Sequence, residues 1–424
     1  MHIGPMKTGS TSIQNVASRK RAELLRNGVY YPGRRLNHRR PAWALMEKKV
    51  EVAGDPKGRT ISDARRKLPR EVWTHFVQDI DKRDSRRVLI SDETIAGTSD
   101  EYAWQFIDGL GQERTHVVLT IRSPAEVYPA YWMQELKDGH TRSFDQWLQH
   151  IFRVNDEKPL SELLKRRFDL GTVVDQWIKV AGAENITVIV VDKKNKSLLS
   201  SAFEALLGLP RGTLNTDSLD GARSNRSMSA LEAEIIRRVN VYAKNNNIRW
   251  SLYRHTIKSG VIQKLLSERT ISDRETKVTL PEWAANLAAE EGQRYAERIR
   301  ESGARIIGNL ENLYTNSNYY ADSVKSFSQP RSHEITLAVT AICGALDGIR
   351  KFESSMHKGV ESEPGNQSRF HELASLEMFR DVVDSFPETV RQSHLEKTFT
   401  TKELGSAFIS RAKKALLRRI ASSK

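Results

Sequence analysis

The stretch from His2 to Gln14 admits few folds. His2-Ile3 is a short apolar stub, Gly4-Pro5-Met6-Lys7-Thr8-Gly9 is a loop flanked by glycines, and Ser10-Thr11-Ser12-Ile13-Gln14 opens a helical pattern. Strand, tight loop and helix in this order turn a row of backbone N–H groups inward. Gly4 and Gly9 permit the turn, Lys7 adds a charge inside it, and the first helical turn adds N–H groups that have no intrahelical acceptor. The product is an anion cradle suited to a phosphate or a sulfate.

The rest of the chain sets the frame for that loop. Segments 87–91, 116–121 and 186–191 are short, β-branched and almost continuously apolar, the pattern of strands buried on both faces, and helical stretches separate them. This alternation predicts an α/β fold whose central parallel sheet is covered on both sides, with the ligand site at the carboxyl ends of the strands. A helix is expected over 11–26, stopped at Asn27-Gly28, followed by a short strand at Val29-Tyr30-Tyr31 and a basic loop carrying Arg34, Arg35, His38, Arg39 and Arg40. Ser229 with Glu232 and Thr279 with Glu282 have capping-box spacing. Three regions are expected: an α/β domain over 1–315, a polar linker over 316–333 and a helical C-terminal extension over 334–424. In that extension Leu404, Phe408, Ala412, Leu416 and Ile420 repeat every fourth residue, with Arg411, Lys414 and Arg418 on another face. Such a basic amphipathic helix suits a peripheral membrane or acidic-partner contact, and equally a helix packed on its own domain with a solvated charged face.

Composition narrows the chemistry. With 38% hydrophobic residues in 424, the chain can bury a large core. No window approaches a membrane span and no charged-then-apolar leader precedes the loop, so the expected compartment is cytoplasmic. The single cysteine, Cys343, can form no internal disulfide and sits in an apolar setting, and no Cys/His or carboxylate spacing suggests a metal. The net charge of +14, from 67 Lys and Arg against 53 Asp and Glu, is spread along the chain without a nucleic-acid motif. It therefore points to anionic ligands rather than to nucleic acid.

The spacing Gly4-x4-Gly9 matches the first half of a Walker A loop, yet Ser10 stands where that motif places its lysine, and the loop's only lysine is Lys7. A lysine after the second glycine reaches the β- and γ-phosphates of a nucleoside triphosphate, whereas one inside the loop lies beside a single 5′ group. A second anion anchor follows at Arg122-Ser123-Pro124: an arginine at the carboxyl end of a buried strand, just before a helix, can grip an anion with its planar fork.

Pro-Met-Lys-Thr-Gly-Ser-Thr closely resembles the 5′-phosphosulfate loop of sulfotransferases. The order of loop and helix, Gly-Val-Tyr-Tyr-Pro-Gly, a strand ending Ser-Asp-Glu and the Arg-x-Pro segment with Tyr-Trp-Met-Gln-Glu is similar to bacterial sulfotransferase-domain proteins over about residues 1–315. The resemblance implies a P-loop-like three-layer α/β sandwich and a donor, 3′-phosphoadenosine 5′-phosphosulfate (PAPS), used without a metal. Lys7, Thr8, Gly9, Ser10 and Thr11 would hold its 5′ end and Arg122 its 3′-phosphate. The family also places a serine eight residues beyond that arginine, where this chain has Ala130; Tyr128, Tyr131 and Arg226 are candidate substitutes. Family members have several apolar residues before the equivalent of His2, so either the sequence begins late or the first strand is truncated, and in the second case the loop is expected to be poorly anchored.

Sulfuryl transfer needs positioning, a cation on the leaving oxygens and a proton acceptor. Lys7 is the expected cation. In the family the base is a histidine or glutamate before the arginine segment, which makes Glu93 the first candidate and Asp92 the second, although a carboxylate there can equally cap a helix starting at Thr94. The acceptor would be a hydroxyl, or an amine, of a carbohydrate, lipid or small metabolite. Two alternatives remain: a P-loop kinase or NTPase, opposed by Ser10, and a non-catalytic anion-binding protein on the same scaffold, motivated by Ala130 and the short first strand.

Overall fold

The computed structural model describes residues 1–51, 65–83, 87–153, 168–192, 194–215, 226–245, 248, 250–271 and 275–315. The expected linker, the C-terminal helices and Cys343 lie outside the described residues. Met1–Ala230 with Thr276–Asp322 pack as one unit, and Leu231–Glu275 belongs to a second.

Strands in chain order are β1 (Val29–Tyr30), β2 (Lys49–Glu51), β3 (Arg65–Lys67), β4 (Arg87–Val88), β5 (Val117–Ile121), β6 (Ile186–Val190) and β7 (Arg305–Ile307). Helices in the first unit are α1 (Ser10–Arg19), α2 (Arg21–Arg26), α3 (Arg39–Leu45), α4 (Glu71–Asp81), α5 (Asp100–Leu110), α6 (Pro124–Lys137), α7 (Phe144–Phe152), α8 (Leu170–Ala181) and α9 (Leu198–Leu207). After them come α10 (Ala230–Asn245), α11 (Trp250–Tyr253), α12 (Gln263–Glu268) and α13 (Glu282–Glu301).

β1 pairs with β4, β5 with β6 and β6 with β7, all in parallel. The two ladders are joined by the N-terminal stub. His2 bridges Ser91 on one side and Val118 on the other, again in parallel. The bonds are His2 N to Ile90 O (2.7 Å), Asp92 N to His2 O (3.2 Å), Val118 N to Met1 O (2.8 Å) and Ile3 N to Val118 O (2.9 Å). The short first strand thus holds the central position, anchored on both edges, and the loop that follows it is not poorly anchored. The strand expected at 186–191 is observed as Ile186–Val190, fully buried along its length, as is β5. β2 and β3 form a separate antiparallel pair.

Both faces of the sheet are covered, as continuous apolar strands require. On one face Leu89, Val118 and Ile189 pack against Ile13, Val16 and Ala17 of α1 and Ala202 and Phe203 of α9. On the other, Ile3, Leu119, Ile121 and Val188 pack against α5, α8 and α13 through Phe106, Trp177 and Ile299. The first unit is the expected mixed α/β fold, three layers around a parallel sheet.

Two local expectations change. The helix expected over 11–26 is broken at Lys20, whose φ of −98° and ψ of 23° leave the helical region. The box of Thr279 and Glu282 does not form: α13 starts at Glu282 with Pro281 as its N-cap, at ψ 157°. Proline biases the residue before it toward extended backbone, which disfavours the helical Leu280 that a start at Thr279 needs.

In the second unit Arg269 is buried between two carboxylates, Glu232 at 2.9 Å and Glu275 at 2.6 Å. Tyr253 donates to Asn240 Oδ1 at 2.6 Å. Both contacts pair buried polar groups with one another.

Candidate functional site

The carboxyl ends of the central strands meet at the glycine-flanked loop. A Cβ added at Gly4 would lie 1.7 Å from Thr120 Oγ1, so glycine is needed there because the neighbouring strand comes close. Lys7 and Gly9 have φ of 72° and 93°. The left-handed region costs a lysine on the order of 1 kcal/mol, and the contacts under the loop hold it there. Thr8 Oγ1 donates to Pro5 O at 2.6 Å and lies 2.9 Å from Thr120 Oγ1. The Thr8 side chain therefore braces the loop from beneath and leaves only its backbone for a ligand.

Gly9 caps α1 without a side-chain acceptor, and the first turn of that helix carries no acidic residue. Ser12 N returns to Gly9 O at 3.0 Å. The amides of Ser10 and Thr11 therefore have no side-chain acceptor at the cap, which is the arrangement that binds anions at helix N-termini. Ser10 is buried and Thr11 exposed. Lys7 Nζ donates to Gln134 Oε1 on α6 at 2.9 Å. Burial pulls the Lys7 ammonium below the ordinary lysine range, opposed by the charges of Asp138 and Glu93.

Arg122 ends β5 beside this loop. Its Nη1 donates to the backbone carbonyl of Lys7 at 3.4 Å, so both basic residues belong to one rim. Its Nε is ion-paired with Glu126, one turn into α6. Nη2 is buried and has no hydrogen-bond partner among the described residues. Burial lowers the guanidinium to about 10, which leaves it charged at neutral pH. Burial, and next the charge of Asp192, push Glu126 up to about 7; direct contact with Arg122 works against that shift.

The third side of the rim is Ser91-Asp92-Glu93 after β4. Glu93 is ion-paired with Arg39 and accepts from Gln14 Nε2 at 3.2 Å. The Asp92 side chain is fully buried, its Oδ2 3.5 Å from Arg39 Nε. Its Oδ1 accepts from Thr94 N at 2.9 Å and from the Thr94 hydroxyl. Burial first, then the neighbouring Glu93, raise Asp92 to about 6. No helix starts at Thr94. The chain turns, and α5 begins at Asp100 under a Ser99 cap. Glu93 is thus no helix cap, and Asp92 fixes a turn.

Several participants carried no assigned role in the sequence. Arg39 lay in the recognised basic loop, but its delivery to two carboxylates depends on the buried His38. That imidazole accepts from Ser91 N at 2.9 Å and bonds Pro32 O at 3.1 Å, pinning the loop to the strand end. Gln14 and Gln134 had no distinguishing signal beyond their place on helices that follow the two anchors. Of the candidate substitutes for the hydroxyl absent at Ala130, Tyr128 donates to Glu291 and packs among Trp147, Phe152 and Phe168. The Tyr131 ring lies against Phe168 with centroids 4.8 Å apart. Arg226 Nη1 donates to Ser227 O at 3.2 Å.

A cavity of 570 Å³ lies at the opposite, amino end of the strands, lined by Arg87, Val88, His116, Leu207 and Arg305 among others. It does not include the loop. Among the described residues no group of His, Cys, Asp and Glu could hold a metal ion, and no helix is long and apolar enough to cross a membrane.

No family model and no curated protein matches this sequence. Among solved structures, the chain is similar to a sulfotransferase from Alicyclobacillus acidocaldarius, with 15% identity over 58% of this chain and 90% of that chain, at a TM-score of 0.35.

Proposed function

We propose that this chain is a sulfotransferase that moves a sulfuryl group from PAPS to a hydroxyl, or less readily an amine, of a carbohydrate, lipid or small metabolite. One observation carries the proposal: the Arg122 guanidinium reaches the Lys7 carbonyl at 3.4 Å, so a lysine inside an anion loop and a strand-end arginine share one rim. A nucleotide with phosphates at both its 5′ and 3′ positions asks for two such anchors. The buried Nη2 of Arg122, without a partner among the described residues, is the kind of donor that a 3′-phosphate would satisfy.

In the proposed reaction the acceptor oxygen forms a bond to sulfur while the bond from sulfur to the 5′-phosphate oxygen breaks. The acceptor proton passes to Glu93, which supplies the base, with Asp92 as the second candidate. Lys7, the loop amides and the first turn of α1 stabilise the charge that develops on the departing bisphosphate. Glu93 suits the base role better than Asp92, because the Asp92 side chain is wholly enclosed and its Oδ1 is held by Thr94, whereas the Glu93 side chain retains 11% exposure.

A non-catalytic anion-binding protein is the second reading, favoured by Ala130 and by the hold of Glu126 on Arg122. Calorimetry with adenosine 3′,5′-bisphosphate against AMP tests the proposal. Binding of the bisphosphate at least 30-fold tighter is expected from one charge-assisted contact worth about 2 kcal/mol. Equal binding of the two ligands removes Arg122 from its role. Tight bisphosphate binding without turnover on any acceptor selects the second reading, and ATP hydrolysis without bisphosphate binding selects a kinase or NTPase.

A further inference from the structure

Beneath the rim lies a buried row of polar side chains that no step above uses. His2 is 1% exposed in the middle of the sheet, with its ring edge-on to Phe203 at 4.9 Å. Its Nδ1 lies 2.9 Å from Ser91 Oγ and its Nε2 3.1 Å from Thr120 Oγ1. Thr120 Oγ1 continues to Thr8 Oγ1 at 2.9 Å, and Thr8 to Pro5 O at 2.6 Å. On the other side Gln14 Nε2 donates to Ser91 Oγ at 3.1 Å and to Glu93 Oε2 at 3.2 Å.

Each hydroxyl has one proton, and that fixes the direction of the row. Pro5 O can only accept, so Thr8 donates to it and must accept from Thr120. Thr120 has then spent its proton and accepts from His2 Nε2. The Gln14 amide donates to Ser91, whose own proton is left for His2 Nδ1. The row therefore requires a proton on Nε2, while Ser91 Oγ can donate to a bare Nδ1 or accept from a protonated one; enclosure of the ring, 1% exposed, selects the neutral form. Burial lowers His2 to about 3, which agrees with that form.

We propose that His2 is a positioning residue, a neutral imidazole strut that ties the underside of the anion loop to the strand end bearing Glu93 and so holds Lys7 in register with the base. The role in transfer rests on the sulfotransferase reading above; the strut itself does not. Lys7 lies between Pro5 and Thr8, the two loop residues the row grips, and its left-handed φ is maintained from below. Gln14 at the far end orients the carboxylate without carrying a proton to it, since an amide is not a proton relay.

Two substitutions divide the strut. In His2→Asn the shorter side chain reaches Ser91 and loses Thr120; in His2→Gln the longer one reaches Thr120 and loses Ser91. Hydrogen exchange on the full chain should show amides of residues 6–10 about tenfold faster in His2→Asn, and amides of 91–95 about tenfold faster in His2→Gln, the effect of one lost hydrogen bond on local opening. Imidazole nitrogen NMR on the unsubstituted chain should show a protonated Nε2 and an unprotonated Nδ1, unchanged from pH 8 to about pH 5. In turnover, His2→Asn should weaken bisphosphate binding more than it lowers kcat, and His2→Gln should do the reverse.

Equal changes at both segments in both variants, or a proton on Nδ1, overturn the strut and leave His2 as a packed core residue. If the unsubstituted chain binds no bisphosphate, the functional reading falls, and exchange and NMR still decide the strut.

Discussion

The two ends of the parallel sheet differ in kind. The amino end holds a cavity of 570 Å³ with Arg83, Arg87, Arg114 and Arg305 on its walls. Those arginines are largely committed: Arg87 donates to the carbonyls of Leu207 and Asn27, and Arg114 pairs with Asp81 at 2.7 Å. The carboxyl end has a tight rim in which a lysine, an arginine and two carboxylates converge on a helix N-terminus. The proposed function uses the second end, in line with the general rule that ligands of parallel α/β sheets bind beyond the carboxyl ends of the strands.

The largest effect that could break this contrast is structural. Gly4→Ala would drive a methyl into Thr120, 1.7 Å from its Oγ1 and 2.9 Å from its carbonyl, at the junction of the central strands. Urea denaturation should show a loss of about 3 kcal/mol or outright failure to fold. A variant as stable as the parent would mean that the loop need not lie against β5.

Next in size, Arg122→Ala should weaken adenosine 3′,5′-bisphosphate by roughly 100-fold and AMP by less than about threefold, because only the first ligand presents a phosphate to that fork. Arg305→Ala, at the amino end, should leave both affinities unchanged. If calorimetry instead finds the larger loss in Arg305→Ala, the assignment of the two ends is reversed.

The smallest effect concerns the enclosed carboxylate of the rim. Asp92 is raised to about 6 by burial and by Glu93, above the value of 3.8 it has when unfolded. The folded chain thus binds this proton more tightly than the unfolded one. Its stabilising contribution is complete below pH 3.8 and is lost as pH rises through about 6. Asp92→Asn keeps an acceptor for Thr94 while removing the charge, so it should raise stability at pH 7 by about 2 kcal/mol and flatten thermal melting between pH 4 and 6. A pH profile as steep as the parent's would show that Asp92 is not the group that burial penalises.

Local pattern was enough for much of this. The β-branched runs at 117–121 and 186–190 declared a doubly covered parallel sheet, and the glycine spacing declared a tight turn between strand and helix, because strand burial and left-handed turns impose strong, short-range demands on residue type. β7 escaped notice, since Arg305-Ile306-Ile307 is too short to show a period. The capping box at Thr279 failed because Pro281 overrode it.

What the sequence by itself determined is the kind of scaffold and the presence of two basic residues, Lys7 in the loop and Arg122 after a buried strand. What only the tertiary structure decided is their meeting on one rim, the pairing of Glu93 with Arg39, the turn made by Asp92 and the row through His2 under the loop. The physical reason is the range of the interactions. Backbone turns and strand burial are settled within a few neighbours, whereas His2 meets Thr120, Lys7 meets Gln134 and Arg39 meets Glu93 across separations of 118, 127 and 54 residues. Partners that distant leave no spacing in the chain, and only the packing of the sheet brings them within a hydrogen bond.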